Sequence, residues 1–317
     1  MKLPALFCII AIAGAGLLGQ NAKQELALPL KPKSVRFAII GDFGTGGERQ
    51  YELAPQIAHY HEMFPFEFVL TMGDNLYGGQ RESDFKWKFE YPYRVLLDSG
   101  VKFYASLGNH DSPNQVFYKP FNMNGRRYYD FRRGDAAFFA LDSNYMDPEQ
   151  LAWLRKELIA SDAKWKICYF HHPLYSHAKM HGSDTDLRKT LEPLFEETGV
   201  RLVLSGHEHV YERLKPQHGI YYFVLGSSGE LRPHDLRPSS DTAKGFDTDN
   251  AFAIFEISED QCYFQVISRM GMTVDSGAIP SLLIEKTGTP NALALQDHQR
   301  NALGDADLLQ RVAIHHQ

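Results

Sequence analysis

Cysteine is scarce in this chain, with three in 317 residues. Cys8 lies in an apolar leader, and Cys168 and Cys262 each stand alone in a strand-like apolar run. Isolated cysteines in such runs read as small buried hydrophobes. An oxidising compartment would permit a Cys168–Cys262 bond, but no spacing indicates one. Blocks of like charge are absent as well, and the formal net charge is -6. Without a basic surplus, sequence-independent binding of nucleic acid is not expected. Beyond the leader no apolar run is long enough to cross a bilayer. Internal repeats and low-complexity segments are also missing.

What is present is ordinary for a globular chain with a sizeable core: 44% hydrophobic and 23% charged residues. Residues 1–20 stand apart. Lys2 precedes an uncharged run from Leu3 to Leu18 rich in Leu, Ile and Ala, with Gly16 and Gly19 near its end. That pattern reads as a secretory signal peptide and places the protein in the secreted or periplasmic class, an uncleaved anchor being the alternative.

Five β-rich runs end abruptly in Gly, Asn or His: 35–42, 66–74, 102–111, 165–172 and 200–209. Continuous apolar runs suggest strands buried on both faces. Helical patterns lie between them. One starts at Asp147-Pro148, an N-cap followed by proline at the first helical position. Another begins near Asp186 and stops at Gly199. Hairpins are expected over 128–143, turning at Arg133-Gly134-Asp135, and over 252–268, turning at Ser258–Asp260. Strands alternating with helices, joined to strands paired directly, predict an α/β fold: two packed mixed β-sheets flanked by helices. The domain is expected to span 34–285. A polar tail, 286–317, carries a helical pattern at Asn301–Ile314 and ends in His315-His316, read as solvated.

The chemistry gathers at the strand ends, where loops of α/β sheets converge. Asp42 follows the first run, Asp74 the second, Asn109-His110-Asp111 the third, His171-His172 the fourth, and His207-Glu208-His209 the fifth. Singly, each could be a turn. Together they form an inventory of carboxylate, amide and imidazole donors without thiolates, suited to Zn, Mn or Fe.

The motifs GDFG (41–44), GDNLY (73–77), GNHD (108–111), HHP (171–173) and GHEH (206–209) resemble those of the calcineurin-like metallophosphoesterase superfamily. Within it, the tyrosine of GDNLY is similar to that of the purple acid phosphatases, whose phenolate binds a ferric ion. The resemblance implies two metal ions. Fe(III) would sit at Asp42, Tyr77 and His209, and Fe(II), Zn or Mn at Asn109, His171 and His207, with Asp74 bridging. It also implies that His110 contacts the phosphoryl oxygens and that Asp111 orients the His110 imidazole. His181 would give a proton to the leaving group, although it lies one residue further along than the family pattern. His172 either lines the pocket or is a loop histidine; His177 has no counterpart role.

The implied activity is hydrolysis of phosphate monoesters at acidic pH, by attack of metal-bound hydroxide on phosphorus. Small phosphorylated molecules would be substrates and inorganic phosphate a product. The alternative is a phosphodiesterase or nucleotide hydrolase of the same superfamily with two divalent ions. A ferric and a divalent ion carry more positive charge than Asp42, Asp74 and a Tyr77 phenolate remove. An acidic protein can thus hold a cationic site. Segments 78–84, 114–127 and 231–248 are expected to face the substrate, the last as a lid.

Overall fold

An apolar run without alternation has no face to offer water, so it must be covered on both sides. The computed structural model describes residues 25–281 and covers such runs from both sides. The leader at 1–20 and the expected helix and histidine pair of the tail lie outside the described residues. In chain order the elements are β1 (Val35–Ile40), α1 (Glu48–Met63), β2 (Phe68–Thr71), α2 (Glu82–Phe85), α3 (Arg94–Asp98) and β3 (Lys102–Ala105). Next come β4 (Tyr129–Arg133), β5 (Ala136–Ala140), α4 (Pro148–Ala160), β6 (Trp165–Tyr169), α5 (Thr185–Thr198) and β7 (Val200–Ser205). The rest are β8 (Tyr211–Leu214), β9 (Tyr221–Leu225), β10 (Thr242–Phe246), β11 (Ala251–Ser258), β12 (Gln261–Ser268) and β13 (Thr273–Pro280).

Two mixed sheets result. One has the order β13-β12-β11-β1-β2-β3, and the other β10-β8-β9-β7-β6-β5-β4. Their facing surfaces form an aromatic core. Phe37 stacks on Phe68 at 5.3 Å and on Phe255 at 5.4 Å, while Phe138 from the opposite sheet meets Phe37 and Phe68 edge-on. On the outer side of the second sheet, Phe139 and Leu141 pack with Leu154 and Leu158 of α4 and with Leu191 and Phe195 of α5. Helix α1 contributes Leu53, Ile57 and Tyr60 to the core, with Tyr60 edge-on to Phe252. Helices therefore flank the packed sheets, as the strand and helix patterns predict.

Both expected hairpins form, β4–β5 about Gly134 and β11–β12 about Glu259 and Asp260. Helix α4 starts where proline and aspartate place it, with Asp147 Oδ1 accepting from Gln150 N at 2.8 Å. Helix α5 starts slightly before the expected position: Asp184 is the cap, accepting from Leu187 N at 2.9 Å, and Gly199 ends it at φ 73°. Packing begins before residue 34. Leu28 is buried, and Glu256 accepts from the backbone N–H groups of Leu30 and Lys31. Cys168 and Cys262 are both buried and unbonded. Cys168 belongs to the helix-facing core and Cys262 to the core between the sheets, so the permitted disulfide is not made. Among the described residues no helix is long and apolar enough to cross a membrane.

Because Phe138 is fully buried where the sheets meet, Phe138→Ala should cost about 3–5 kcal/mol of unfolding free energy. Denaturant titration measures this; a loss below about 1 kcal/mol would mean the interface is not the main core.

Candidate metal centre

Strands β1, β2 and β3 run parallel in one sheet, and β5, β6, β7 and β9 in the other. Parallel strands deliver their following loops to the same sheet edge. There the loops of β1, β2, β3, β6 and β7 meet, bringing together residues more than 160 positions apart. His207 N, for example, donates to Asp42 Oδ2 at 2.9 Å.

Two groupings of side chains result. In the first, the Tyr77 hydroxyl lies 3.1 Å from Asp42 Oδ1 and 3.1 Å from His209 Nε2. In the second, His171 Nε2 lies 3.0 Å from Asn109 Oδ1 and 3.1 Å from His207 Nδ1. Asp74 stands between them, with Oδ2 3.5 Å from His171 Nε2 and Oδ1 accepting from His110 N at 2.9 Å. Donor atoms of Asp42, Asp74 and His209 that could hold a cation lie within 4.8 Å of one another, as do those of His171, His172 and His207. All seven residues named for the two metals are therefore in one place. Asp42 and Asp74 both take left-handed backbone, φ 52° and 48°, a strain that persists only where surrounding structure holds it.

Close approach depends on missing side chains. A Cβ on Gly108 would run into Asp74, and one on Gly206 into the Asp42 carboxylate.

The donor set fits cations. Asp42 and Asp74 are essentially inaccessible to water. Burial raises both above the usual carboxylate range, and the charge of Asp74 raises Asp42 further. Burial also pushes His207 down to about 2 and His209 down to about 4, and holds His171 well below the usual range. So the histidines are neutral and the carboxylates repel. His171 Nδ1 lies 2.8 Å from the Met72 carbonyl oxygen and must carry the ring hydrogen. Its Nε2 is then a bare lone pair facing Asn109 Oδ1 and Asp74 Oδ2. Converging acceptors with too few hydrogens are the arrangement a cation satisfies, and fixing the far ring nitrogen orients the near one for ligation.

The remaining candidates divide. His110 is exposed at the rim, its ring 4.9 Å from that of Tyr77. His181 stacks on His207 at 4.4 Å, with Glu208 Oε1 accepting from its backbone N–H at 3.1 Å. Asp111, expected to orient the His110 imidazole, is bonded to the neighbouring loops. Its carboxylate accepts from the backbone N–H groups of Asn75, Leu76 and Gly108 and from Gln115 Nε2. With those donors it ties the β2 and β3 loops together, and among the described residues no hydrogen bond joins it to the His110 ring. His172 lines the site, its Nδ1 2.9 Å from Ser143 Oγ. His177 lies apart, bonded to the buried Glu212 at 2.8 Å.

The segment 231–248 is not a free lid. Arg232 N donates to His209 O and Arg237 N to His177 O, Lys179 N donates to Asp235 O, and β10 pairs with β8. Ser239 Oγ meets His177 Nε2 at 3.0 Å, and Thr242 Oγ1 donates to Glu212. Backbone polar groups that leave water require such partners, and here they make the segment a strap.

Sequence reading gave no role to Glu208 or Arg232. Glu208 is fully buried; its Oε1 also accepts from Gly182 N, and its Oε2 faces Arg232 Nη1 at 3.7 Å. The position of Glu208 between two candidate histidines was the available signal, but a buried carboxylate cannot be told from a solvated one by spacing alone.

Cations bind ionised carboxylates, and protons compete for Asp42 and Asp74 to higher pH than usual because both pKa values are raised. Falling pH must therefore weaken the metal. The gain in melting temperature on adding Zn or Mn should be larger at about pH 7 than at about pH 5, and EDTA should remove it. An equal gain at both would contradict this assignment.

Comparison with known proteins agrees with the geometry. Residues 35–211, more than half the chain, match the family described as calcineurin-like phosphoesterase. Tartrate-resistant acid phosphatase type 5 of Rattus norvegicus is 25% identical over 81% of this chain and 95% of its own length. Purple acid phosphatase 7 of Arabidopsis thaliana is 28% identical over 65% of this chain and 74% of its own. Among solved structures, the purple acid phosphatase PPD1 of yellow lupin superposes with a TM-score of 0.60 at 18% identity, covering 82% of this chain and 57% of the lupin chain. The GAP50 anchor of the Plasmodium inner membrane complex gives 0.67 at 21%, over 83% and 93%. At those identities the structural likeness speaks for the fold. The chain belongs to the calcineurin-like phosphoesterase family, with purple acid phosphatases among its homologues.

Proposed function

We propose that this chain is a dinuclear-metal phosphatase that hydrolyses phosphate monoesters under acidic conditions outside the cytoplasm. The observation that carries the reading is the Tyr77 hydroxyl, 3.1 Å from both Asp42 Oδ1 and His209 Nε2. Burial, and then the charges of Asp42 and Asp74, hold that phenol protonated far above its usual range in the metal-free chain. A strongly charged cation is needed to displace the proton, so Fe(III) belongs with Asp42, Tyr77 and His209. Asn109, His171 and His207 bring no charge of their own and suit Fe(II), Zn or Mn, with Asp74 shared. When bound, the two ions supply a positive clamp for the phosphoryl oxygens and acidify water.

The chain's own residues do the rest. Asp74, buried and bonded to His110 N, fixes the loop that puts His110 at the rim, where its imidazole can reach a phosphoryl oxygen. His181 lies against His207 and is held by Glu208 through its backbone, a position from which it can protonate a departing alkoxide. Burial, and then Arg232, lower the His181 pKa below that of free histidine. Its proton is then available mainly in acid, which supports an acidic working range. The leader from Lys2 to Leu18 supports export.

Protein loaded with iron should absorb in the visible, and Tyr77→Phe should abolish the band. Iron-loaded protein that is colourless would overturn the ferric assignment. Losing partners of ligands already costs about 10–100-fold, so Asn109→Ala should lower kcat/KM for monoesters by more than about 100-fold. Faster turnover of a bis-ester than of the matching monoester would instead select the diesterase reading. His181→Asn should slow alkyl phosphates by about 100-fold or more while p-nitrophenyl phosphate, whose leaving group needs no proton, suffers less. Equal slowing of both would remove His181 from that role.

A further inference from the structure

One cavity shares Asn109 and His172 with the candidate centre and extends away from it. It encloses about 460 Å³ and opens beside Asn109 and His172, with Asn144, Tyr145, Arg127 and Asp184 in its outer wall. That volume lies in the range of small-molecule sites. We propose that this cavity seats the alcohol half of the substrate, and that the alcohol is an uncharged hydroxylated ring, as in a sugar phosphate. The inference rests on the phosphatase reading and adds to it a substrate class.

Position is the first argument. A phosphoryl group held at Asn109, His171 and His207 leaves its ester substituent needing space, and this cavity starts at Asn109. His172 is the partition. Its ring lies 4.5 Å from that of His207, and Ser143 fixes it twice, through Nδ1 at 2.9 Å and through its backbone N–H at 3.1 Å.

Charge is the second. Arg127 is paired with carboxylates, donating to Asp142 Oδ2 at 2.7 Å and to Asp147 Oδ2 at 2.8 Å. Asp184 uses Oδ1 to cap α5 and keeps a second oxygen. Asp142 and Asp184 outnumber Arg127 in the wall, so its net charge repels a second phosphate or a carboxylate.

Shape and hydrogen bonding are the third. Tyr145 is 64% exposed, with the Arg127 guanidinium 6.0 Å from its ring centroid. Asn144 Nδ2 is held by Asp142 Oδ1 and the Gly108 carbonyl at 3.0 and 3.2 Å, which leaves the amide oxygen as an acceptor. An aromatic face beside aspartate and asparagine oxygens matches a molecule with C–H faces and several hydroxyl donors. A small amino alcohol would leave most of this volume to water.

The test uses the metal-loaded full chain and kcat/KM for glucose 6-phosphate, methyl phosphate, phosphoethanolamine and 3-phosphoglycerate. Glucose 6-phosphate should rank first and 3-phosphoglycerate last. Tyr145→Ala should lower the glucose 6-phosphate to methyl phosphate ratio by about three- to tenfold, through KM. Asp184→Asn keeps a capping residue and should narrow the discrimination against 3-phosphoglycerate. The proposal is overturned if methyl phosphate equals glucose 6-phosphate, if phosphoethanolamine or 3-phosphoglycerate ranks first, or if Tyr145→Ala leaves the ratio as it was. No hydrolysis of any of the four would overturn the phosphatase reading along with this one.

Discussion

Two carboxylates, Asp42 and Asp74, are buried close together where the edges of two sheets join, and the site around them is organised to answer that. Like charges out of water raise each other's cost, and the neighbouring histidines are too dry to carry a proton in compensation. A cation pair resolves both problems at once, binding ionised oxygen and neutral imidazole. The acidity of the whole chain is no obstacle, because local charge at a dry site outweighs a screened surface field.

Such a centre needs loops that cannot drift. Asp111 gathers four donors from the β2 and β3 loops, and Asn75 adds bonds to Ser106 O and to Asp111 itself. Glu208 holds the turn that carries His181, and the strap over 231–248 is sewn to the same turn through His177 and Glu212. Glycines at 108 and 206 let the carboxylates pass close to backbone. Rigidity of this kind keeps catalytic groups in place without reorganisation when charge develops. The cavity beside His172 lies against this frame, so the outline of the leaving-group space is set before any substrate arrives.

How far these features could be read beforehand follows from their physics. Strands β1, β2, β3, β6 and β7 are mostly apolar runs that lead into Gly or His, a pattern that needs no partner to be recognised. Caps at Asp147 and Gly199 are local chemistry and were legible too. Helix α1 was not: it has Pro55 inside, glycine in place of a capping side chain, and polar residues among its apolar ones. Strand β10, TAKGF, is largely exposed and takes its form from pairing with β8. The hydrogen bonds of Asp111 were illegible for a similar reason, since adjacency in sequence to His110 says nothing about which donors its carboxylate meets.

The candidate donors belong to the amino-acid order: Asp42, Asp74, Asn109, His171, His207 and His209 were nameable because each follows a strand-like run, and Tyr77 through the resemblance carried by GDNLY. Their division into two groupings around Asp74 was only implied by resemblance until the sheets joined, for it depends on loops from separate sheets meeting. The burial that raises the carboxylates, the hydrogen on His171 Nδ1, the strap and the cavity at Tyr145 exist only in the folded chain. Desolvation and hydrogen-bond choice are properties of surroundings, and surroundings form when distant segments pack.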